Sequence, residues 1–239
     1  MSQTPSPERV VRRGATTRAS GERRNTRGEA TRRLILDAAE RLFAEKGVSA
    51  VPLRDIGIAA GQRNHAAVQY HFGDRDQVVT AIMERRGSES EVRRADLVAH
   101  LVMNGRTPTL ADAVDAFVRP LAIHIRPDNH YLGFLSLFIT EEGGYEGLEG
   151  VHTGSSVITL RALVGRLAPQ IPEAVLDERW WITLTSAVHA LARYQAAHTK
   201  RSRLPASIDV LIDDLVAYLS AGLVAPVRTT DPRAAGAAA

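Results

Sequence analysis

The chain has no cysteine among its 239 residues. Disulfides, thiolate zinc sites and cysteine nucleophiles are therefore excluded together. Aromatic residues are scarce, at 5%, so the hydrophobic 44% is carried mostly by Ala, Leu, Val and Ile. That mixture suits packed helices. No apolar run reaches the ~18 residues of a membrane-spanning helix. The basic N-terminus lacks the apolar centre of a secretory signal, and a cytoplasmic protein is expected. Catalytic patterns are missing too: there is no G-x-S-x-G elbow, P-loop or dinucleotide fingerprint. The eight histidines show no H-x-x-x-H spacing. Glu141, Glu142 and His152 flank an acidic loop and form a loose group that could ligate a metal, but a solvated loop is the simpler reading. No enzymatic activity, catalytic residue, metal or cofactor is expected.

Lysine is almost absent, with only Lys46 and Lys200, so arginine carries the positive charge. The formal net charge of +3 hides an asymmetry. Residues 1–33 hold nine arginines against Glu8, Glu22 and Glu29, a local net of +6, which leaves −3 for the rest. A basic arm of this kind points to an anionic partner near the N-terminus.

Four regions follow from the pattern: a disordered basic arm over 1–25, a small helical unit over 26–80, a larger helical body over 81–225 and a disordered tail over 226–239. The first helix is expected to begin at Thr26, whose spacing to Glu29 is that of a capping box, with Thr31 as a second start. Ile35, Ala38, Ala39, Leu42 and Phe43 then form an apolar stripe, and Gly47 is a natural C-cap. Pro52 suits the first turn of a second helix that ends at Gly61. A further helix starts near Asp74 and runs to about Arg86, with another stretch to about Met103. Leu110–Ile125 carries a regular apolar stripe. Tyr131–Thr140 is apolar nearly all round and reads as a central buried helix. Val151–Leu167, Asp177–His198 and Ser207–Leu223 complete an all-α architecture.

The segment from Thr31 to Val78 is the most informative. Val68 and Phe72, four apart, can pack on Leu42, Phe43 and Ile56. That leaves Arg63, Asn64, His65, Gln69 and Tyr70 facing outward. Arg can fork onto guanine, and Asn or Gln can bind adenine through both amide atoms. In a helix-turn-helix the base-reading residues lie at the start of the second helix, where Arg63 to His65 fall. The alternative is a solvated polar face.

The fragments AERLFAEKG, LRDIGIAAG, AVQYHF and FGDRDQVV together resemble the TetR family of transcriptional repressors. By motif the resemblance covers roughly residues 27–80, and helix order and length extend it loosely to the whole chain. It implies a DNA-binding domain followed by a ligand-binding and dimerisation domain. It also implies that Tyr70 and His71 contact phosphates, that Arg75 grips the backbone, and that Ala67 and Gln69 face bases. The chain departs from the family pattern in three places. The turn G-Q-R-N-H-A is one residue longer, with polar Gln62 in an apolar position. Gln69 replaces a frequent tyrosine. Pro52 stands where a capping Thr is common.

The resemblance further implies a homodimer built on the last two helices, and Ser207–Leu223 carries more apolar surface than one internal face needs, with Ala217 and Ala221 offering small contacts. A dimer would bind a palindromic double-stranded operator. An unidentified small-molecule effector is implied as well. His124, Tyr131, Trp181 and Tyr194 are the candidate pocket residues, with His130, Thr140, His152 and Trp180 as further polar candidates. The rival to a ligand-responsive repressor is a non-specific architectural DNA binder whose arginine arm supplies most of the affinity.

Overall fold

Apolar residues three and four apart recur through most of the chain, and each stripe becomes the buried face of a helix. The computed structural model describes residues 15–64, 66–103, 105–141 and 155–227, with side chains placed from Gly28 onward. Among these residues there are nine helices and no strand: α1 (Ala15–Lys46), α2 (Leu53–Ala59), α3 (Ala67–Phe72), α4 (Arg75–Met103), α5 (Leu110–Ala122), α6 (Tyr131–Glu141), α7 (Ser155–Leu167), α8 (Glu173–Thr199) and α9 (Ile208–Leu223). Among the described residues no helix is long and apolar enough to cross a membrane.

Two expectations need correction. Residues 15–25 are not a disordered arm: they are helical and continue α1 backwards. Their Ala, Arg and Glu favour the helix, and extending an existing helix avoids the cost of nucleating a new one. The Thr26–Glu29 pair therefore lies inside α1 rather than at its start. The second correction is that α4 is one helix of 29 residues rather than two stretches. It runs through residue 80, so the small unit and the body are not separated by a linker at that point.

The small unit is built around Ile35, Ala39, Phe43, Ile56, Val68 and Val78, each at most 1% exposed. Asp74 starts α4 by accepting the Gln77 amide at 2.8 Å. In the body, α5 opens with a capping box. The Thr109 hydroxyl accepts from the Asp112 amide, and the Asp112 carboxylate accepts from the Thr109 amide. Val114, Phe117, Val118 and Leu121 line its buried face. As expected, α6 is a buried central helix, packed between α1 on one side and α8 on the other. Phe134 of α6 meets Phe43 of α1 at 6.0 Å and stacks on Phe138 at 5.7 Å. The apolar contact between unit and body thus runs through α6. Ser207 caps α9, which packs on α5 and α8.

Candidate nucleic-acid interface

The turn between α2 and α3 is closed by local hydrogen bonds. Gly61 takes φ +68, and the amides of Gly61 and Gln62 donate to the carbonyls of Ile58 and Gly57 at 3.0 Å each. Gln62, polar where an apolar residue is usual, donates its Nε2 to the Ala60 carbonyl at 3.0 Å. The substitution is therefore satisfied inside the turn. Asn64 then starts α3: its Oδ1 accepts the Ala66 amide at 2.9 Å and its carbonyl accepts the Ala67 amide at 3.0 Å. This side-chain turn sets the helix boundary.

As a result α3 is only six residues long, and Arg63 and Asn64 lie in the turn before it, both exposed. His65 falls outside the described residues. One lone pair of the Asn64 oxygen is already engaged, so its outward offering is chiefly the amide donor. Ala67 contradicts the expectation that it faces bases. It is 9% exposed and sits on the same inward side as Val68, because α3 buries its first turn to close on α2. The exposed positions of α3 and its cap are Ala66, Gln69 and Tyr70.

Tyr70 is 85% exposed, and its ring meets His71 edge-on at 5.2 Å. His71 is half-buried. Phe72 is buried beneath Arg32, whose guanidinium lies 4.6 Å from the ring centre, a cation–π contact that fastens α3 to α1. Arg75 is half-buried and donates Nη2 to the Val51 carbonyl at 3.2 Å. In this arrangement it braces the α1–α2 loop. Ala66 and Arg54 are also exposed in the two-helix unit. Ala66 is one helical turn from Gln69 and Tyr70, and Arg54 lies in the first turn of α2.

The candidate effector residues are buried to different degrees. His124, Tyr131 and Tyr194 are 0%, 3% and 6% exposed, while Trp181 is half-buried. His124 has both ring nitrogens engaged, Nε2 with Ser90 Oγ at 3.0 Å and Nδ1 with Asn129 Nδ2 at 3.1 Å, and Tyr131 packs edge-on against it at 4.8 Å. Burial, helped by the charges of Arg86 and Arg126, pushes the His124 pKa down to about 4. Gln195 of α8 extends the cluster to Asn129 Oδ1 and to the Gly133 amide. These side chains form a hydrogen-bonded polar core among the described residues. The reason is mutual satisfaction: buried donors and acceptors here find one another. Trp180 is likewise core, 1% exposed and edge-on to Phe117. Thr140 bonds the Ser136 carbonyl and His189. His130 instead lines an open cleft of about 500 Å³ between α1, α2 and α4, with Asp37, Glu40, Arg41, Arg85 and Arg86. His152 and Glu142 lie outside the described residues. Glu141, weighed as a metal ligand, accepts the amides of Val48 and Ser49 at 3.0 and 2.9 Å.

A short helix lying on two others, its outer side polar and its inner side sealed, is the geometry of a helix-turn-helix, a DNA-binding unit. Residues 35–82 match the family of bacterial regulatory proteins termed the tetR family. An HTH-type transcriptional repressor of Mycobacterium tuberculosis is 34% identical over 131 residues, spanning 44% of this chain and 69% of that protein. The repressor KstR2 of Rhodococcus jostii is 30% identical over 106 residues, 42% of this chain and 52% of that protein. The regulator AcrR of Shigella flexneri is 41% identical over 76 residues, 31% of this chain and 34% of that protein. The chain belongs to the TetR family of DNA-binding transcriptional regulators.

Proposed function

We propose that the protein is a ligand-responsive repressor that binds a palindromic operator as a homodimer. The observation that carries this reading is the exposed polar group formed by Arg63, Asn64, Gln69 and Tyr70 around a helix whose opposite side, Ala67, Val68 and Phe72, is buried. Gln69 and Arg63 read base edges, Asn64 adds its amide donor, and Tyr70, His71 and Arg75 hold phosphates. Phosphate contacts fix register, and edge contacts choose sequence.

Dimerisation is supported by α9. Val210, Asp214, Ala217, Tyr218 and Ala221 recur at three- and four-residue spacing and are all exposed, with Tyr218 at 74%. Ile182 of α8, 53% exposed, adds to the uncovered apolar surface. Monomers seldom leave such faces to water. A two-fold pair would set its reading helices ~34 Å apart, one turn of DNA. The effector reading rests on the family, and a ligand entering the body would have to open the packing around His124 and Tyr131.

Selection from random double-stranded DNA tests the proposal. The expected product is an inverted repeat with half-sites about one turn apart, bound ~10³-fold or more tightly than scrambled DNA at physiological salt. Enrichment of no sequence, with affinity tracking salt alone, would instead mark an architectural binder.

A further inference from the structure

α6 carries one charged residue, Glu141, at its C-terminal end. A carboxylate there faces the negative end of the helix dipole and is locally unfavourable. Its position is explained by what it meets. Gly47, at the end of α1, takes φ +85, and this left-handed residue turns the following amides of Val48 and Ser49 to one side. Successive amides arranged this way form a nest for an anion. Glu141 supplies that anion: Oε1 accepts from Val48 N at 3.0 Å and Oε2 from Ser49 N at 2.9 Å, across 93 and 92 residues of sequence. The positive φ favours glycine at 47, and a Cβ there would run into the Glu141 carboxylate and push it off the two amides. The same loop is held from its other end by Arg75, which donates to the Val51 carbonyl. The loop leads directly into α2, the first helix of the reading unit.

We propose that Glu141 is a positioning residue for DNA binding: its carboxylate latches the body's central helix into the α1–α2 loop and so fixes the reading unit relative to the body. This rests on the DNA-binding reading above. The latch is suited to this task because it acts on backbone amides, which place the chain itself. It also lies at the end of a helix whose other end is tied to the His124–Asn129–Gln195 cluster through the Tyr131 and Gly133 amides.

The test compares wild type, Glu141→Gln and Glu141→Ala. Amide hydrogen exchange of Val48 and Ser49 is followed by NMR without DNA, and affinities are measured for the selected operator and for scrambled DNA well below both melting midpoints. In Glu141→Ala both amides should lose protection, operator affinity should fall about tenfold and scrambled-DNA affinity should stay within about twofold. Glu141→Gln, which keeps one acceptor oxygen, should fall between. A residue that only stabilised the fold would lower the melting temperature and leave the operator-to-scrambled ratio intact, and that result would overturn the proposal. Amides that remain protected in Glu141→Ala would overturn it as well. If wild type itself found no operator, the repressor reading would fail, and amide protection alone would decide whether the latch exists.

Discussion

Replacing Glu40 by alanine should be among the most damaging single changes in this protein. Glu40 lies in α1 with 2% exposure. Its carboxylate accepts Arg86 Nε at 2.8 Å, Arg86 Nη2 at 3.3 Å and the His130 amide at 2.9 Å. It thus joins three segments: α1, α4 and the loop before α6. Burial works against the charge on Arg86, but the bond to Glu40 and the Glu40 and Asp37 charges outweigh it, so the guanidinium pKa is raised. Removing Glu40 strands that guanidinium, whose side chain is 13% exposed. Breaking a buried pair from one side costs roughly 3–5 kcal/mol. The lower end applies here, because Asp37 stays 3.9 Å from Arg86 Nη2 and can take over part of the charge. At ~3 kcal/mol and roughly 2–4 °C per kcal/mol for a chain of this size, the midpoint should fall by ~6–12 °C. Urea denaturation gives the free energy directly, and the m-value reports whether the native state stays intact. The double variant Glu40→Leu with Arg86→Leu should recover part of the loss seen with Glu40→Leu alone, since no buried charge remains unpaired. A cost below about 1 kcal/mol for Glu40→Ala, or strict additivity in the double variant, would refute the reasoning.

His124 has its folded pKa at about 4, below the ordinary 6.5. Its neutral form is the one that fits, so its contribution is complete above pH 6.5 and declines as pH falls from 6.5 toward 4. The urea midpoint should drop over that window, and His124→Phe should flatten the drop; an equal slope in both proteins would contradict this. Thr109→Ala should cost about 1 kcal/mol through loss of the α5 cap. The partner Asp112 is held down to about 2, first by the bond to Arg106 and then by Thr109. Its share is therefore present above the ordinary value of 3.8 and disappears as pH falls toward 2, so Asp112→Asn should make acid denaturation shallower. Gln69→Ala should relax base preference at one position per half-site and leave scrambled-DNA affinity nearly intact; a uniform loss on all DNA would contradict base reading.

The parts of the fold that the sequence discloses are those governed by short-range periodicity. The α5 stripe, the apolar α6 and the cap at Asp74 all depend on residues within a few turns of one another. So does the pairing of Val68 with Phe72, which gives α3 its inner and outer sides. α1 starts upstream of the Thr26–Glu29 capping-box spacing because the helix propagates back through that pair to Ala15, where the local capping signal no longer decides. The inward placement of Ala67 has a related cause. The direction of a residue near a helix start depends on where the helix begins, and Asn64 moves that start by bonding the Ala66 amide.

The polar interior was less legible because its partners are far apart in sequence. Ser90, His124, Asn129 and Gln195 come from α4, the α5–α6 loop and α8, and no spacing rule connects them. A histidine, a tyrosine and two tryptophans in a helical body look alike whether they line a cavity or fill it. What distinguishes them is whether each buried nitrogen and oxygen already has a partner. Here both His124 nitrogens do. The same holds for Glu141, which reads locally as the first residue of an acidic loop. Its carboxylate acquires meaning only when α6 carries it to the amides after Gly47. One local clue was present, a lone acid placed against the helix dipole at the end of an apolar helix. Such a conflict between local preference and position marks a residue held by something distant. Glu40 is a similar case, an acid on the inward side of α1 directly beside Ala39, and both acids turn out to tie the reading unit to the body.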